Sequence, residues 1–134
     1  MTGETDLNTL LRSLKADLID GIFVFATVPT GQIPPDLAPR MMFQEAEGTT
    51  LVLLKDAAQA ADLPYEFPSR MITLNIHSSL DAVGFMARIA TALGNEGMGV
   101  NPVAGFYHDH LFVPNGREQD ALRILSQIAK DAAG

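Results

Sequence analysis

Leucines near the start of the chain recur at steps of three and four residues, which is the period of an amphipathic helix. Asp6 precedes this pattern as a candidate N-cap and Gly21 follows it. The pattern then changes at residues 22–28, where the run Ile-Phe-Val-Phe-Ala-Thr-Val is apolar on both faces and predicts a strand covered on both sides. The helical positions are Leu7, Leu10, Leu11, Leu14 and Leu18.

The rest of the first half alternates between turn-forming and structured segments. Four prolines and a glycine at residues 29–39 predict a loop. Residues 41–46 and 49–54 predict the two strands of a hairpin, joined by a Glu-Gly turn. Four alanines at residues 57–61 favour a short helix, and two prolines at residues 64–68 indicate a linker.

The second half has clearer periodicity. Residues 71–77 alternate between apolar and polar side chains, which predicts a strand with one buried face. Residues 78–95 predict a helix that begins at a capping box formed by Ser78 and Asp81. Two further strands, at residues 100–106 and 111–113, and a terminal helix follow. The apolar stripes of the two helices are Val83, Met86, Ile89, Ala90 and Leu93, and then Leu122, Leu125, Ile128 and Ala129.

These elements predict an α+β fold. The order β-α-β-β-α in the second half is that of a ferredoxin-like (split βαβ) antiparallel sheet with helices on one face, short of its last strand. We expect residues 22–28 to supply that strand, so that an N-terminal half (residues 1–66) and a C-terminal domain (residues 67–134) are interlocked. No repeat aligns residue by residue between the two halves.

Composition narrows the class of protein. The 134 residues are 47% hydrophobic and 19% charged, which is typical of a globular chain. The net charge of −7 argues against nucleic acid or an anionic membrane as the main partner. Cysteine is absent, no signal peptide is visible, and the longest apolar run, residues 22–28, is too short to span a membrane. We therefore expect a cytoplasmic protein.

The histidines are the first candidates for chemistry. His108 and His110 flank Asp109, and two imidazoles with a carboxylate are a common ligand set for transition metals. His77 could join them if its strand lies beside this hairpin. The alternative is that Asp109 forms a turn and the two histidines flank it, half exposed, where they could contact a ligand.

Other catalytic patterns are missing from the sequence. No serine lies in a Gly-x-Ser-x-Gly elbow, and no glycine-rich phosphate loop follows a strand. No cofactor is expected.

The junction at residues 77–85 is the remaining candidate. A strand ends there and the free amides at the start of a helix favour a carboxylate, while Asp81 could accept bonds from an ammonium group. Gly84 allows another backbone or a ligand to come close. Such a junction suits a zwitterion such as an amino acid. The same residues equally fit a simple role, in which Ser78 and Asp81 cap the helix and Gly84 relieves crowding.

This junction resembles the ACT domain. That family has an Asp-x-x-Gly turn after its first strand, often with Pro before the Gly, and the chain has Asp81-Ala-Val83-Gly84. Residues 76–84, the segment 103–114 with its Tyr-His-Asp-His-Leu-Phe-Val-Pro run, and residues 45–52 resemble a bacterial family of small tandem ACT-like proteins of unknown function. A more distant likeness is to the CASTOR-type arginine sensors.

The resemblance implies two ACT-like halves and a non-enzymatic regulatory module. It implies binding of a small molecule, usually an amino acid, at an interface between ACT units of a homo-oligomer, a dimer or a tetramer. A metal-binding protein or metal-dependent enzyme using His108, Asp109 and His110 is the alternative, and a structural adaptor with its oligomer seam at residues 107–113 is another. The expected ligand-binding residues are Ser78, Ser79, Asp81, Val83 and Gly84, with Asn101 and Val103 on the facing strand and His108 and His110 beside them.

Overall fold

A computed structural model describes residues 3–134. It contains four helices and seven strands in that range, and none of the helices is both long and apolar enough to cross a lipid bilayer. In chain order they are α1 (Leu7–Arg12), β1 (Ala16–Leu18), β2 (Phe23–Val28), β3 (Met41–Gln44), β4 (Thr49–Leu54), α2 (Lys55–Ala60), β5 (Glu66–Leu74), α3 (Phe85–Gly94), β6 (Asn101–Ala104), β7 (Asp109–Pro114) and α4 (Glu118–Ala133).

The chain forms two compact units that are not the two halves of the sequence. The inserted unit is Asp20–Ser69, and the main unit combines the residues up to Ile19 with Arg70–Gly134. Strand β5 belongs to both, because its first residues lie in the inserted unit and its last five in the main unit. The division at residue 66 between an N-terminal and a C-terminal ACT-like half stays a prediction.

The main unit has the expected ferredoxin-like order. Strands β5, β7 and β6 are neighbours in that sequence, and β1 pairs antiparallel with the other edge of β5, with Ala16 opposite Leu74 and Leu18 opposite Ile72. Helices α1, α3 and α4 bury their apolar sides against this sheet. The most deeply buried members of that core are Leu10, Ile72, Leu74, Ile89, Leu93, Leu111, Val113, Ala121 and Leu125.

The inserted unit repeats the strand order with a different connection. Strands β3, β4 and β2 are neighbours, and β2 pairs with the first residues of β5. No helix joins β2 to β3 in this described segment, and the proline-rich loop takes its place by packing Ile33 and Leu37 against the core. The α+β ferredoxin-like prediction is therefore confirmed.

The two units contain hairpins of the same geometry. Strands β3 and β4 occupy residues 41–44 and 49–54, and β6 and β7 occupy residues 101–104 and 109–114, so corresponding positions differ by 60. Of these paired positions only Leu51 and Leu111 carry the same residue, and both are fully buried. The repeat is thus present in the backbone although the sequence does not reveal it.

Two predicted boundaries before residue 70 were wrong. The N-terminal helix ends at Arg12, and Leu18 lies in β1, where it pairs with Ile72 of β5. The expected linker at residues 64–68 contains the start of β5, where Phe67 has a φ of 56° and the register against β2 shifts. Such a bulge tolerates the following Pro68 within a strand.

The helix of the second half begins later than predicted. It starts at Phe85, seven residues after the expected Ser78 cap, and its N-cap is Gly84. The closing strand of the main unit also differs, because β1 occupies that edge. Residues 22–28 were expected there. They contain β2, which pairs with β4 and with Glu66 and Ser69 inside the inserted unit.

The N-cap of α1 was predicted correctly and gives a pH-dependent test. The Asp6 carboxylate accepts from the Thr9 hydroxyl (2.7 Å) and the Thr9 backbone N–H (2.9 Å). These bonds lower the pKa of Asp6, so the stabilisation is complete at neutral pH and is lost as pH falls through the lowered pKa. We expect Asp6→Ala to lower Tm at neutral pH, and the difference from the unmodified chain to shrink below about pH 4.

Thermal melts at several pH values measure this difference. Asp20→Ala, at an exposed residue, is the control for loss of a carboxylate alone. An Asp6→Ala deficit of equal size at neutral pH and at about pH 3 would contradict the assignment.

Candidate functional site

The junction between β5 and α3 is a loop and not the first turns of a helix. Ser79 shapes it, because its hydroxyl accepts from the Asp81 backbone N–H (3.0 Å) and its carbonyl accepts from the Ala82 N–H (3.0 Å). The expected capping box between Ser78 and Asp81 is absent from this loop. The loop therefore carries its polar side chains outside helical geometry.

Helix α3 begins without a side-chain cap. Its N-cap Gly84 has a φ of 86°, in the left-handed region that favours glycine. A Cβ there would meet only Leu7 Cδ2 at 3.5 Å, so the backbone conformation and not space selects glycine. The first helical bond runs from Arg88 N–H to the Gly84 carbonyl (3.0 Å). Among residues 3–134 no side chain caps the preceding amides, including those of Phe85 and Met86, and the positive end of the helix dipole lies there.

Two small clefts lie beside this loop and share Ser78, Ser79 and Leu80 as a common wall. The helix-start cleft has a volume of about 170 Å³, and the Asp81 cleft has a volume of about 160 Å³. Beyond the shared wall, the first is lined by Ala82, Phe85, Met86, Ala104, Gly105 and Asp109, and the second by Gly3, His77, Asp81 and Phe106.

The carboxylate beside the start of α3 belongs to Asp109. This residue is the first of β7, and its Oδ2 accepts a hydrogen bond from the Ser78 hydroxyl (3.1 Å). Asp81 lines the neighbouring cleft instead. Sequence reasoning named Asp109 only as a metal ligand or turn residue. The adjacency of the first and third strands of a split βαβ sheet is the signal that could have brought Asp109 to this loop.

The N-terminal segment is a second feature that sequence reasoning missed. Glu4 forms a parallel bridge with Ser78, in which the Glu4 N–H donates to the His77 carbonyl and the Ser79 N–H donates to the Glu4 carbonyl (2.9 Å each). A Cβ on Gly3 would lie 2.6 Å from backbone atoms of residues 77–79. Only glycine fits this close approach of the two segments, and no pattern in the sequence predicts the contact.

Exposed apolar side chains surround the clefts. Phe106 and Tyr107, at the tip of the β6–β7 hairpin, are 63% and 56% exposed, and their rings meet edge to face at 5.0 Å. The His77 ring lies 5.7 Å from that of Tyr107. On the loop, Leu80 is 69% and Val83 is 82% exposed. This end of the main unit therefore presents an apolar rim around polar clefts.

The histidines do not converge on a metal site. His108 Nδ1 lies 3.3 Å from the Ile76 carbonyl, and His110 Nδ1 lies 3.0 Å from the Thr73 hydroxyl. Because β7 begins at Asp109, His108 is in the turn and not two residues from His110 along one strand. Within residues 3–134 no three His, Asp or Glu side chains are grouped to hold an ion. The metal alternative has no ligand set in this part of the chain.

The remaining predicted site residues lie apart from the clefts. Val103 is opposite His110 and Asn101 is opposite Phe112 in the β6–β7 ladder. Since Leu111 and Val113 face the helices, these four residues lie on the other face of the sheet. Val83 lines neither cleft. The structure thus groups Ser78, Ser79 and Asp81 around the clefts, with Gly84 at the helix start.

Family models and solved structures give a consistent comparison. Two ACT-domain models match the chain, one over residues 2–70 and the other over residues 66–127. Among curated proteins, none matches. A crystal structure of a protein of unknown function from Vibrio cholerae, a possible transport protein, is 41% identical, with a TM-score of 0.82 over 92% of this chain and 95% of that one.

More distant structures share the fold. The regulatory subunit of aspartate kinase from Thermus flavus is 12% identical, with a TM-score of 0.62 over 96% of this chain and 99% of its own. E. coli aspartokinase III, in complex with aspartate and ADP, is 10% identical, with a TM-score of 0.61 over 89% of this chain and 33% of its own. At these identities the likeness concerns the fold alone.

Proposed function

The chain belongs to the ACT-domain family, and from this we propose that it is a regulatory protein without catalytic activity of its own. Its ligand is an amino acid or a similar small carboxylate, bound between ACT units of a homo-oligomer. The family supports a regulatory ligand-binding module in general. The choice of ligand, the oligomer and a cytoplasmic location are proposals.

One observation carries the choice of ligand. The start of α3 has no side-chain cap, and its first residues, Phe85 and Met86, line a cleft that also holds the Asp109 carboxylate. Amide donors at a helix N-terminus favour an anion, and a carboxylate favours an ammonium group. A small zwitterion satisfies both requirements at once.

Different groups in the clefts would bind different parts of the ligand. Amides at the start of α3 would bind the ligand carboxylate, and Asp109, oriented by the Ser78 hydroxyl, would accept from the ammonium group. Asp81 lies across the shared wall of residues 78–80 and would bind a second polar group of a longer ligand. This assignment adds Asp109 to the residues predicted from the sequence.

The apolar rim supports a site completed by a second copy. Leu80, Val83, Phe106 and Tyr107 are all more than half exposed beside the clefts. Clefts of about 160 and 170 Å³ are smaller than typical small-molecule sites. Cover from another subunit would exclude water from the ligand and bury these side chains. Either a dimer or a tetramer would provide this cover.

Thermal shift against the twenty amino acids tests the proposal. We expect a ligand at about 100 times its Kd to add about 2.7 kcal/mol of stability and to raise Tm by several degrees. Aspartate, the amino acid bound in the E. coli neighbour, is the first probe. Asp109→Asn should abolish the rise, because it removes the charge that pairs with the ammonium group while preserving shape.

Two variants sharpen this experiment. Asp20→Asn, at an exposed residue of the inserted unit, should respond as the unmodified chain does. Asp81→Ala should weaken the response to ligands with a polar side chain more than the response to glycine or alanine. A flat response of the intact protein to the whole panel would overturn the proposed function.

A further inference from the structure

The first residues that the structure describes form a strap across the loop of the candidate site. The strap is residues 3–6, and the site loop is residues 75–84, which join β5 to α3. At one end the strap continues into α1, whose apolar side is buried in the main core. At the other end it is attached by the two backbone hydrogen bonds that Glu4 makes with His77 and Ser79. The strap is therefore fixed by packing at one end and by hydrogen bonds at the other.

Ser79 connects the strap to the part of the site loop that carries Asp81. The Ser79 N–H donates to the Glu4 carbonyl (2.9 Å). The hydroxyl of the same residue accepts from the Asp81 N–H (3.0 Å), and its carbonyl accepts from the Ala82 N–H (3.0 Å). Since one residue takes part in the bridge and in the turn, a movement of the Ser79 backbone displaces Asp81.

The strap is also a wall of the Asp81 cleft. Gly3 lines this cleft together with His77, Asp81 and Phe106. A Cβ on Gly3 would lie 2.6 Å from the His77 carbonyl oxygen and 2.6 Å from the Ser79 nitrogen, so the two backbones are in direct contact. The helix-start cleft is lined by other residues. Release of the strap would therefore open the Asp81 cleft first.

The attachment of the strap to the site loop is exposed to solvent. Glu4, Thr5 and Asp6 are exposed and Gly3 is half-buried. The Glu4 Oε2 accepts from the N–H groups of Thr5 (2.9 Å) and Asp6 (3.3 Å), so this side chain is directed at the backbone of the strap itself. Segments with few buried apolar contacts and exposed backbone bonds open at a lower free energy than the whole domain. The bridge to the loop can open while the core stays folded.

From these contacts we infer that the strap is a conformational device that controls the Asp81 cleft. When it is docked, it holds Ser79 and, through Ser79, Asp81; when it opens, the wall of the cleft and the position of Asp81 are lost together. A ligand group bound by Asp81 favours the docked form, so its binding and the docking of the strap stabilise each other. The inference rests on the proposed function, because it assigns regulation to the same site.

Amide exchange with solvent, measured by NMR on the ligand-free protein, tests the device. Gly3→Ala adds one Cβ that has no space against the loop backbone. We expect the Ser79 amide to exchange at least about tenfold faster in this variant, and the Asp81 and Ala82 amides to exchange faster with it. Gly99→Ala is the matched control, because a Cβ there meets nothing within 4 Å and neither glycine has a positive φ.

Two results of the exchange experiment would overturn the inference. One is an unchanged rate at Ser79, which would show that the strap is not docked through this bridge. The other is a faster Ser79 amide with unchanged Asp81 and Ala82 amides, which would show that the strap does not hold the loop. A cooperative melt first establishes that each variant is folded. Glu4→Pro, which removes the donor to the His77 carbonyl, is the second variant and should give the same pattern.

Calorimetric titration with glutamine and alanine separates this inference from the proposed function. The side-chain amide of glutamine can donate to Asp81, whereas alanine has no group that reaches it. We expect Gly3→Ala to weaken glutamine binding at least about fivefold and alanine binding less, relative to Gly99→Ala. Equal glutamine affinity in both variants would refute the coupling. If the unmodified chain binds neither, the proposed function loses support, and the exchange rates alone decide whether the strap holds the loop.

Discussion

Leu93→Ala is expected to lower the free energy of unfolding by about 3–5 kcal/mol. Leu93 lies in the last turn of α3 and is fully buried among the side chains of the main core. Truncation removes three carbons from a site that is enclosed by residues of α3, α4 and the sheet. The surrounding backbone cannot collapse far into the cavity, so loss of transfer free energy and loss of packing contacts add.

Chemical denaturation of Leu93→Ala and of a matched Leu80→Ala variant measures this effect. Leu80 carries the same side chain but is 69% exposed, so its truncation should change stability by no more than about 0.5 kcal/mol. The two variants lose the same atoms, one from a buried helical site and the other from an exposed loop site. Equal losses of stability in both variants would show that the burial of Leu93 in the main core does not contribute as its packing indicates.

The fold could be predicted where the hydrophobic pattern of a segment fits only one type of secondary structure. Residues 72–74 alternate, and only a strand places Ile72 and Leu74 in the core while Thr73 faces the other side. The leucines at positions 14 and 18 have a spacing that fits a helix or a turn followed by a strand. Tertiary pairing of β1 with β5, which no local pattern encodes, decided between them.

The position of the site could be predicted from the sequence, but not all of its residues could. Ser78, Ser79 and Asp81 are contiguous with the strand-to-helix junction, so their proximity follows from chain connectivity. Asp109 reaches Ser78 only because β7 lies beside β5. The bridge between Glu4 and Ser78 depends on a long-range approach that a single glycine permits. Contacts of this kind arise from topology, which periodicity does not specify.

The repeat of the two hairpins was hidden for a related reason. A hairpin requires alternation and a turn of fixed length, and many residue types meet these requirements. Positions 42 and 102 illustrate this freedom, because methionine and proline both fit an outward position of an outer strand. Side chains at such positions vary with what each edge contacts. The two hairpins therefore share a backbone geometry without sharing a recognisable sequence.

The turn of the β6–β7 hairpin should make the helix-start cleft sensitive to added volume. A Cβ on Gly105 would lie 2.9 Å from the His108 carbonyl oxygen, which is itself bonded to the Gly105 N–H (2.9 Å). The backbone has to move to relieve this contact, and Asp109 follows directly after His108. A change at residue 105 therefore displaces the carboxylate of the helix-start cleft.

Gly105→Val is accordingly expected to destabilise the protein by about 1–3 kcal/mol and to abolish the rise in Tm that an amino acid ligand produces. Gly99→Val is the matched control, because a Cβ there meets nothing within 4 Å and Gly99 has no positive φ. Melts of both variants with and without ligand separate the two effects. If Gly105→Val kept the full ligand response while losing stability, the position of Asp109 would not govern binding, and the site would have to rest on the helix amides and Asp81.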